Sequence, residues 1–377
     1  MKVLEAVFDS KKELSPAENV VKNVCQIKKK ERVLIIANPS TAVIAQDIYS
    51  ACLNEGATAV LVYQTPKTSF ENAEPEVLAA IKTKPDVIFS ISQNKLGKDP
   101  ESTANPLTAS DGNKYDHIFD YLLDGEKCIR AVWTPGLTQD MFNRTVNIDY
   151  KLLSKRCETL GKLFDGAVSV TVTAPGGTNL TIPVKGRKLL FDDGDFSKPG
   201  SGGNIPAGEV FISPVVGTEK GTGCQGTIVF DGSMTFSDGD SIIESPINCK
   251  VVDGFVTDIT GGAEAMRLLK TIVEAELRSI VNEKEGKIPG GMGAVYKKNA
   301  RNIGELGIGL NPAARITGNM LEDEKAFNTC HFAIGENFDN DAPSLIHLDG
   351  VVRNPTITLL YEDSTTHTIL DGGVLTI

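Results

Sequence analysis

The sequence lacks two features that would connect it to a membrane or to a nucleic acid. It has no apolar run of about 18 residues or more, which a bilayer-spanning helix requires. It also has no excess of positive charge, because 38 lysines and arginines face 49 aspartates and glutamates, leaving a formal net charge of −11. Nucleic acids and anionic membranes attract basic surfaces, so neither is predicted as a partner.

Paired cysteines and a secretory signal are also missing. The seven cysteines are scattered singly, with no C-x-x-C spacing, which is typical of reduced thiols in a cytoplasmic protein. Residues 1–5 introduce charge too early for a signal peptide, and no apolar core region follows them. We therefore expect a cytoplasmic location.

The first half of the chain alternates strands and helices but lacks a nucleotide fingerprint. Short apolar runs at 32–37, 57–63, 86–92 and 129–133 indicate buried strands, and helical patterns end near residue 53 and cover 74–82 and 148–164. This alternation predicts a doubly wound α/β (Rossmann-like) domain over residues 1–165. Its first strand–helix turn, ANPST at 37–41, contains neither G-x-G-x-x-G nor a phosphate loop, so no dinucleotide is expected there.

The second half changes to antiparallel β character near residue 167. Alternating segments at 169–173 and 179–184 flank a Pro-Gly-Gly turn and predict a hairpin. A Gly- and Ser-rich stretch at 192–203 is predicted to be a loop, and an amphipathic helix is predicted over 263–281. Residues 166–377 are therefore expected to form a β-rich α+β domain that carries the functional site.

Three segments near the C-terminus suggest a metal site in that domain. They read GELGIG at 304–309, CHFAIG at 330–335 and IHLDG at 346–350, and they contain two of the four histidines. His347 and Asp349 are two residues apart, so on a strand both side chains leave the same face and can bind divalent ions. Glu305 lies in an otherwise uncharged run, where a buried carboxylate needs a partner. The alternatives are hydrogen-bonded core histidines and a glutamate in a turn.

Five motif pieces, in order, resemble the M29 family of metallo-aminopeptidases, the aminopeptidase T group. They are N-x-P-x-G-E-V-F at 204–211, GTIVFDG at 226–232, GELG at 304–307, the segment around His331, and IHLD at 346–349. The resemblance extends from about residue 174 to residue 355. It implies two divalent ions, zinc, cobalt or magnesium, bound by Glu209, Glu305, His331, His347 and Asp349.

The same resemblance implies an activity and an assembly. The expected activity is removal of N-terminal, leucine-like residues from peptides through a metal-bound hydroxide, and the expected assembly is a homodimer. Glu305 or Glu336 is expected to carry the proton to the leaving amine. One position departs from the family pattern, because Phe338 occupies the place of a tyrosine that would donate a hydrogen bond in the transition state. Losing such a donor costs about 2.7–4 kcal/mol, unless Tyr361 or a backbone amide replaces it.

Two other functions remain open. The first is that of a mononuclear Fe(II) ring-cleaving dioxygenase, resembling the dihydroxypyridine dioxygenases that share this architecture and use two histidines and one carboxylate. Glu305 stands where their additional histidine is expected, which favours the peptidase. The second is that of a catalytically weak homologue that binds a metal structurally.

Overall fold

The chain folds into two compact units. In this computed structural model, residues 14–68, 70–218 and 220–377 are described, so residues 1–5, examined for a signal peptide, lie outside these ranges. The first unit runs up to Asn147 and includes Asp195–Ile205, and the second contains Ile148–Gly194 and Pro206–Ile377. We predicted a single domain boundary between residues 165 and 166, and that boundary stays a prediction. The two units are defined by contacts instead, and each consists of two separate segments of the chain.

Three of the α-helices in the described ranges are longer than ten residues, and the others are short. The α-helices of the described ranges are α1 (Pro16–Asn19), α2 (Ala42–Asn54), α3 (Pro75–Lys82), α4 (Pro100–Ala104), α5 (Ile118–Asp120), α6 (Gln139–Thr145), α7 (Tyr150–Phe164), α8 (Ala263–Lys284), α9 (Gly293–Asn299) and α10 (Met320–Asp323). Two π-helical turns, Val20–Val24 and Tyr121–Gly125, continue α1 and α5, and a 3-10 turn, Pro39–Thr41, precedes α2. Within the described ranges, no helix is both long enough and apolar enough to cross a membrane.

Fifteen of the 22 strands of the described ranges lie in the second unit. The first six are β1 (Arg32–Ala37), β2 (Thr58–Tyr63), β3 (Val87–Ile91), β4 (Leu107–Thr108), β5 (Lys114–Tyr115) and β6 (Arg130–Trp133). The next ten are β7 (Ala167–Thr173), β8 (Asn179–Pro183), β9 (Leu190–Asp192), β10 (Gly202–Asn204), β11 (Glu209–Ile212), β12 (Gln225–Phe230), β13 (Ser233–Phe236), β14 (Gly239–Ile242), β15 (Ile247–Val252) and β16 (Phe255–Thr260). The last are β17 (Ile303–Gly309), β18 (Thr329–Gly335), β19 (His347–Arg353), β20 (Thr356–Tyr361), β21 (Thr366–Asp371) and β22 (Val374–Leu375).

The first unit contains a five-stranded parallel sheet in the order β10-β6-β3-β1-β2. The five residues of β3 are all buried, as the continuous apolar run predicts for a strand covered on both faces. Residues of β1 and β3 pack with α3 and α5 in one apolar cluster, which includes Leu34, Ile88, Ile81 and Phe119. The predicted α/β architecture is therefore confirmed.

The second unit contains two antiparallel sheets. One has seven strands in the order β14-β13-β19-β18-β17-β11-β9, and the other has eight in the order β16-β15-β12-β8-β7-β20-β21-β22. The predicted hairpin is present, with Thr173 of β7 paired with Asn179 of β8. The long helix is α8, whose Leu268 and Ile272 are fully buried. The prediction of a β-rich α+β domain is confirmed.

The prediction that residues 192–203 form a loop was wrong at both ends. Asp192 ends β9, and Gly202–Asn204 forms β10, which pairs in parallel with β6. Glycine has low β propensity, so the sequence gives no strand signal there. The open edge of β6 nevertheless offers backbone groups to pair with, and the Asn204 side chain also donates a hydrogen bond to the Trp133 carbonyl.

Candidate metal centre

The pairing of four neighbouring strands places five candidate ligands on one face of the seven-stranded sheet. Side chains two residues apart on a strand leave the same face, as do directly opposed residues of antiparallel neighbours. The opposed pairs are Glu209 with Gly309, His331 with Gly307, Asp349 with Ala333, and His347 with Gly335. Glu305 lies two residues before Gly307. The structure thus brings together Glu209, Glu305, His331, His347 and Asp349.

Small residues lie beside the ligands on this face of β17 and β18. On β17 the glycines Gly307 and Gly309 follow Glu305 on this face, and on β18 Ala333 and Gly335 follow His331. A Cβ atom at Gly307 would overlap the imidazole of His331, and one at Gly309 would overlap the backbone of Ala326. The glycines of the GELGIG segment therefore provide the space in which the ligands converge.

Replacing Gly307 with alanine should displace His331 and weaken metal binding, although no ligand is removed. We expect a loss of affinity of about 10- to 100-fold, as for other residues that only orient a ligand. Metal content after dialysis against a weak chelator measures the effect. The control is Gly290→Ala, because open space surrounds Gly290. Equal metal retention by the two variants would contradict the packing role of Gly307.

Glu305 lies at the centre of the cluster. Its Oε1 is 3.0 Å from His331 Nε2, and its Oε2 is 3.5 Å from His347 Nε2. His331 Nε2 is also 3.2 Å from Glu209 Oε2, and His347 Nε2 is 3.3 Å from Asp349 Oδ1. Two groups with converging donor atoms result, Glu209–Glu305–His331 and Glu305–His347–Asp349, and both include Glu305.

Two charged residues beside this cluster were missed by the sequence analysis. Glu324 forms a third possible ligand group with His331 and Asp349. The side chain of Lys325 is only 1% exposed, and its Nζ is 2.9 Å from Glu209 Oε1 and 3.5 Å from Asp192 Oδ2. Nζ also forms an ion pair with Glu324. Residues 322–325 read EDEK, and such a run of charges usually lies on a solvated surface. The apolar Ala326 that follows is the only sequence signal that Lys325 is buried.

The charges of the cluster hold protons on both imidazoles. Burial alone would lower the pKa of His331, but the hydrogen bond to Glu305 and the surrounding carboxylates raise this pKa to about 9. Burial also acts to lower the pKa of His347, but nearby charges, above all that of Asp349, raise this pKa well above its usual value. Burial raises the pKa of Glu209 to about 8, against the charge of Lys325. Divalent ions would therefore replace these protons on binding.

The donor atoms suit divalent cations. Glu209 Oε2 and Asp349 Oδ1 are buried and make no well-aligned hydrogen bond to any described residue, although an imidazole nitrogen lies 3.2 Å from the first and 3.3 Å from the second. His347 Nδ1 is 2.9 Å from the carbonyl oxygen of Glu336, so Nδ1 donates there and Nε2 is left as a ligand atom. Imidazole nitrogen with carboxylate oxygen is a donor set that zinc, cobalt and iron share. The cluster thus fits one or two divalent ions.

The other residues singled out in the sequence take different places. The side chain of Glu336 is exposed and belongs to none of the three ligand groups, so its proton-transfer role stays a prediction. Phe338 is half-exposed, and its ring centroid lies 5.4 Å from that of His347 and 4.8 Å from that of Phe211. Tyr361 lies on the eight-stranded sheet and donates its hydroxyl to the Leu163 carbonyl, so it does not replace the missing tyrosine.

Comparison with known proteins assigns a family. The family model of NicX, 2,5-dihydroxypyridine 5,6-dioxygenase, matches residues 139–366, which is more than half of the chain. The chain belongs to the NicX family. The matched region includes every ligand candidate of this NicX-family chain. No curated protein matches it.

Solved structures with the same fold include two different kinds of enzyme. The 2,5-dihydroxypyridine dioxygenase of Pseudomonas putida KT2440 is 17% identical to this NicX-family chain, with a TM-score of 0.65 over 96% of each chain. Wild-type AmpT of Thermus thermophilus, an M29 aminopeptidase, is 15% identical, with a TM-score of 0.63 over 96% of this chain and 98% of AmpT. Identities this low establish the fold alone. The resemblance to the M29 family is therefore supported at the level of the fold.

Proposed function

We propose that the chain is a metal-dependent aminopeptidase that holds two divalent ions. The observation that supports this proposal is that the two histidines fall in different donor groups, which are joined by Glu305. Two-metal hydrolases hold their ions about 3.5–4 Å apart, and a shared carboxylate can bind both. Zinc, cobalt and magnesium are the candidate ions, and the homodimer implied by the resemblance remains part of the proposal.

The proposed roles follow from the contacts of each side chain. Two bound ions would supply Lewis acidity and an activated water at neutral pH. Both oxygens of Glu305 face imidazoles, so Glu305 bridges the donor groups and is poorly placed to carry a proton away. We therefore assign transfer to the leaving amine to Glu336. Although Glu336 is exposed, its carboxyl group is partly desolvated, which raises its pKa against the charge of His347, and a raised pKa suits a general acid.

A ring-cleaving Fe(II) dioxygenase is the second candidate. The family match and the P. putida structure favour it, and the comparisons support it better than they support the aminopeptidase. Such enzymes bind iron through two histidines and one carboxylate, but no ligand group among the described residues contains both His331 and His347. We give the ligands more weight because function depends on the site rather than on the fold.

Three measurements on the same protein separate these candidates. Metal-free protein is loaded with zinc or cobalt, or with Fe(II) under exclusion of oxygen, and the ions bound per chain are counted. The loaded forms are then assayed with leucine p-nitroanilide, with its N-acetyl derivative, and with 2,5-dihydroxypyridine while oxygen uptake is followed. Two ions per chain and cleavage of only the free-amine substrate support the aminopeptidase. One iron per chain with oxygen uptake would replace it with the dioxygenase, and metal binding without turnover indicates a weak homologue.

Replacing Phe338 with tyrosine should raise the rate of peptide cleavage if a missing hydroxyl limits it. Phe338 lies against His347 at the edge of the cluster, so a hydroxyl added to its ring would lie close to the reacting group. One such donor is worth about a hundred- to thousandfold in kcat. Phe191→Tyr is the control, because Phe191 is similarly exposed and lies on β9. An unchanged kcat in Phe338→Tyr would mean that another donor already fills this role.

A further inference from the structure

The two ligand groups that share Glu305 have the same kinds of donor but different neighbours. They are called here the Glu209 group, with Glu209, Glu305 and His331, and the His347 group, with Glu305, His347 and Asp349. Each group offers two carboxylates and one imidazole. Because the donors match, a difference in ion affinity between the groups has to come from the residues around them.

A buried ammonium group contacts the Glu209 group directly. Lys325 Nζ is 2.9 Å from Glu209 Oε1, and the side chain of Lys325 is only 1% exposed. The charge of Lys325 also acts on Asp349, but the described residues show no ion pair between these two. A positive charge buried beside a ligand repels a divalent ion and competes with it for the ligand oxygen. Lys325 therefore opposes ion binding at the Glu209 group more than at the His347 group.

The ammonium group is held in this place by further contacts. Lys325 Nζ lies 3.5 Å from Asp192 Oδ2 and forms an ion pair with Glu324. Moving Nζ away from Glu209 would disturb these contacts as well, and breaking a buried ion pair is costly. The positive charge therefore stays beside the Glu209 group when an ion binds there.

The imidazoles of the two groups differ in the same direction. His347 Nδ1 donates a hydrogen bond to the carbonyl oxygen of Glu336 at 2.9 Å, whereas His331 Nδ1 is buried and makes no hydrogen bond to any described residue. An outer hydrogen bond of this kind orients a ligand imidazole and raises its basicity, and losing one lowers metal affinity by about 10- to 100-fold. This second difference also favours the His347 group.

We propose that the two groups bind their ions with unequal affinity and that Lys325 contributes to the difference. The His347 group binds the first ion tightly, and the Glu209 group binds the second ion weakly. This inference rests on the two-ion site of the proposed function and adds an order of filling to it. The Glu209 group then gains or loses its ion as the free metal concentration changes, so metal supply regulates the site.

Cobalt titration of the metal-free, full-length protein tests the order of filling. Isothermal titration calorimetry gives the affinity of each step, and equilibrium dialysis counts the Co²⁺ ions bound per chain. The outer hydrogen bond of His347 alone accounts for about 10- to 100-fold, and Lys325 adds to it, so we expect two steps whose affinities differ by about 100-fold or more.

Two ligand variants assign the steps to the groups. Glu209→Gln removes a carboxylate from the Glu209 group only, so the weak step should disappear and the tight step should remain. His347→Ala removes an imidazole from the His347 group only, so the tight step should disappear. Both variants retain Lys325, so this assignment can be made even if Lys325→Met does not fold.

Replacing Lys325 with methionine tests the effect of its charge. Lys325→Met should strengthen the weak step by about tenfold or more, because it removes the repulsion beside Glu209. The tight step should stay nearly unchanged. A lysine that only packs, or only orients Glu209, would instead leave the weak step unchanged or weaken it. Lys297→Met is the control, since Lys297 is exposed on α9 and should affect neither step.

Three outcomes would overturn the inference. They are two steps of equal affinity, loss of the tight step in Glu209→Gln, and no strengthening of the weak step in folded Lys325→Met. One bound ion in the unaltered protein and two in Lys325→Met would support the effect of Lys325 and count against a two-ion aminopeptidase. Unequal binding of two ions without cleavage of leucine p-nitroanilide would remove the aminopeptidase and leave this inference in place.

Discussion

Replacing Glu305 with alanine should abolish both tight metal binding and activity. Glu305 is the one residue common to the Glu209–Glu305–His331 and Glu305–His347–Asp349 groups, so its loss takes a donor from both. Residues that only orient a ligand change affinity by about 10- to 100-fold, and a shared ligand should exceed the upper end of that range. Ions bound per chain and kcat/KM are the measurements, and both should fall together.

The matched control for Glu305 is a glutamate that touches nothing in the cluster. Glu362 is exposed and pairs with Lys185 on the surface, so Glu362→Ala should keep the metal content and activity of the unaltered protein. His347→Ala provides a second test, because it takes a donor only from the Glu305–His347–Asp349 group. If Glu305→Ala and His347→Ala both retain full metal content, the cluster is not the metal site.

Replacing Lys325 with methionine should strongly destabilise the metal-free protein. The ammonium group is buried among the carboxylates of Asp192, Glu209 and Glu324, and its removal takes away the cation that contacts all three. Breaking a buried ion pair from one side costs about 3–5 kcal/mol. Urea unfolding of the metal-free variant measures that loss.

Metal loading should distinguish the charge of Lys325 from its packing. If Lys325 balances the carboxylates, bound divalent ions should restore part of the stability lost in Lys325→Met, because they supply positive charge to the same groups. Lys297→Met is the control, since Lys297 is exposed on α9, and it should change stability little in either form. An equal deficit in the loaded and metal-free forms of Lys325→Met would assign Lys325 to packing alone.

The part of the site that depends on strand periodicity could be predicted from the sequence. The two-residue spacing of His347 and Asp349 places both on one face of β19, and the structure has them there. Glu209 entered only through a resemblance, and His331 was noted only as one of two histidines in neighbouring apolar segments, because neither residue has a spacing that indicates its partners. The structure then brings both next to Glu305.

The features that could not be predicted from the sequence depend on contacts between residues that are far apart in the chain. Lys325 is buried because Glu209, more than a hundred residues earlier, supplies its counter-charge. The residues next to Lys325 in the sequence therefore do not indicate that it pairs with Glu209. The strand β10 was missed for the same reason, since its partner β6 lies about seventy residues earlier. The strands β1 and β3 were predictable because each carries its own continuous apolar run.

Because the ligands share one face of β11, β17, β18 and β19, metal binding requires that all four strands pair in the correct register. Slipping one of these strands by a single residue would turn its donors to the opposite side of the sheet and remove them from the cluster. A misregistered molecule would then fail to capture ions even if its secondary structure looked native by circular dichroism. The absorbance of bound cobalt during refolding would therefore report only the molecules whose strands have reached the correct register.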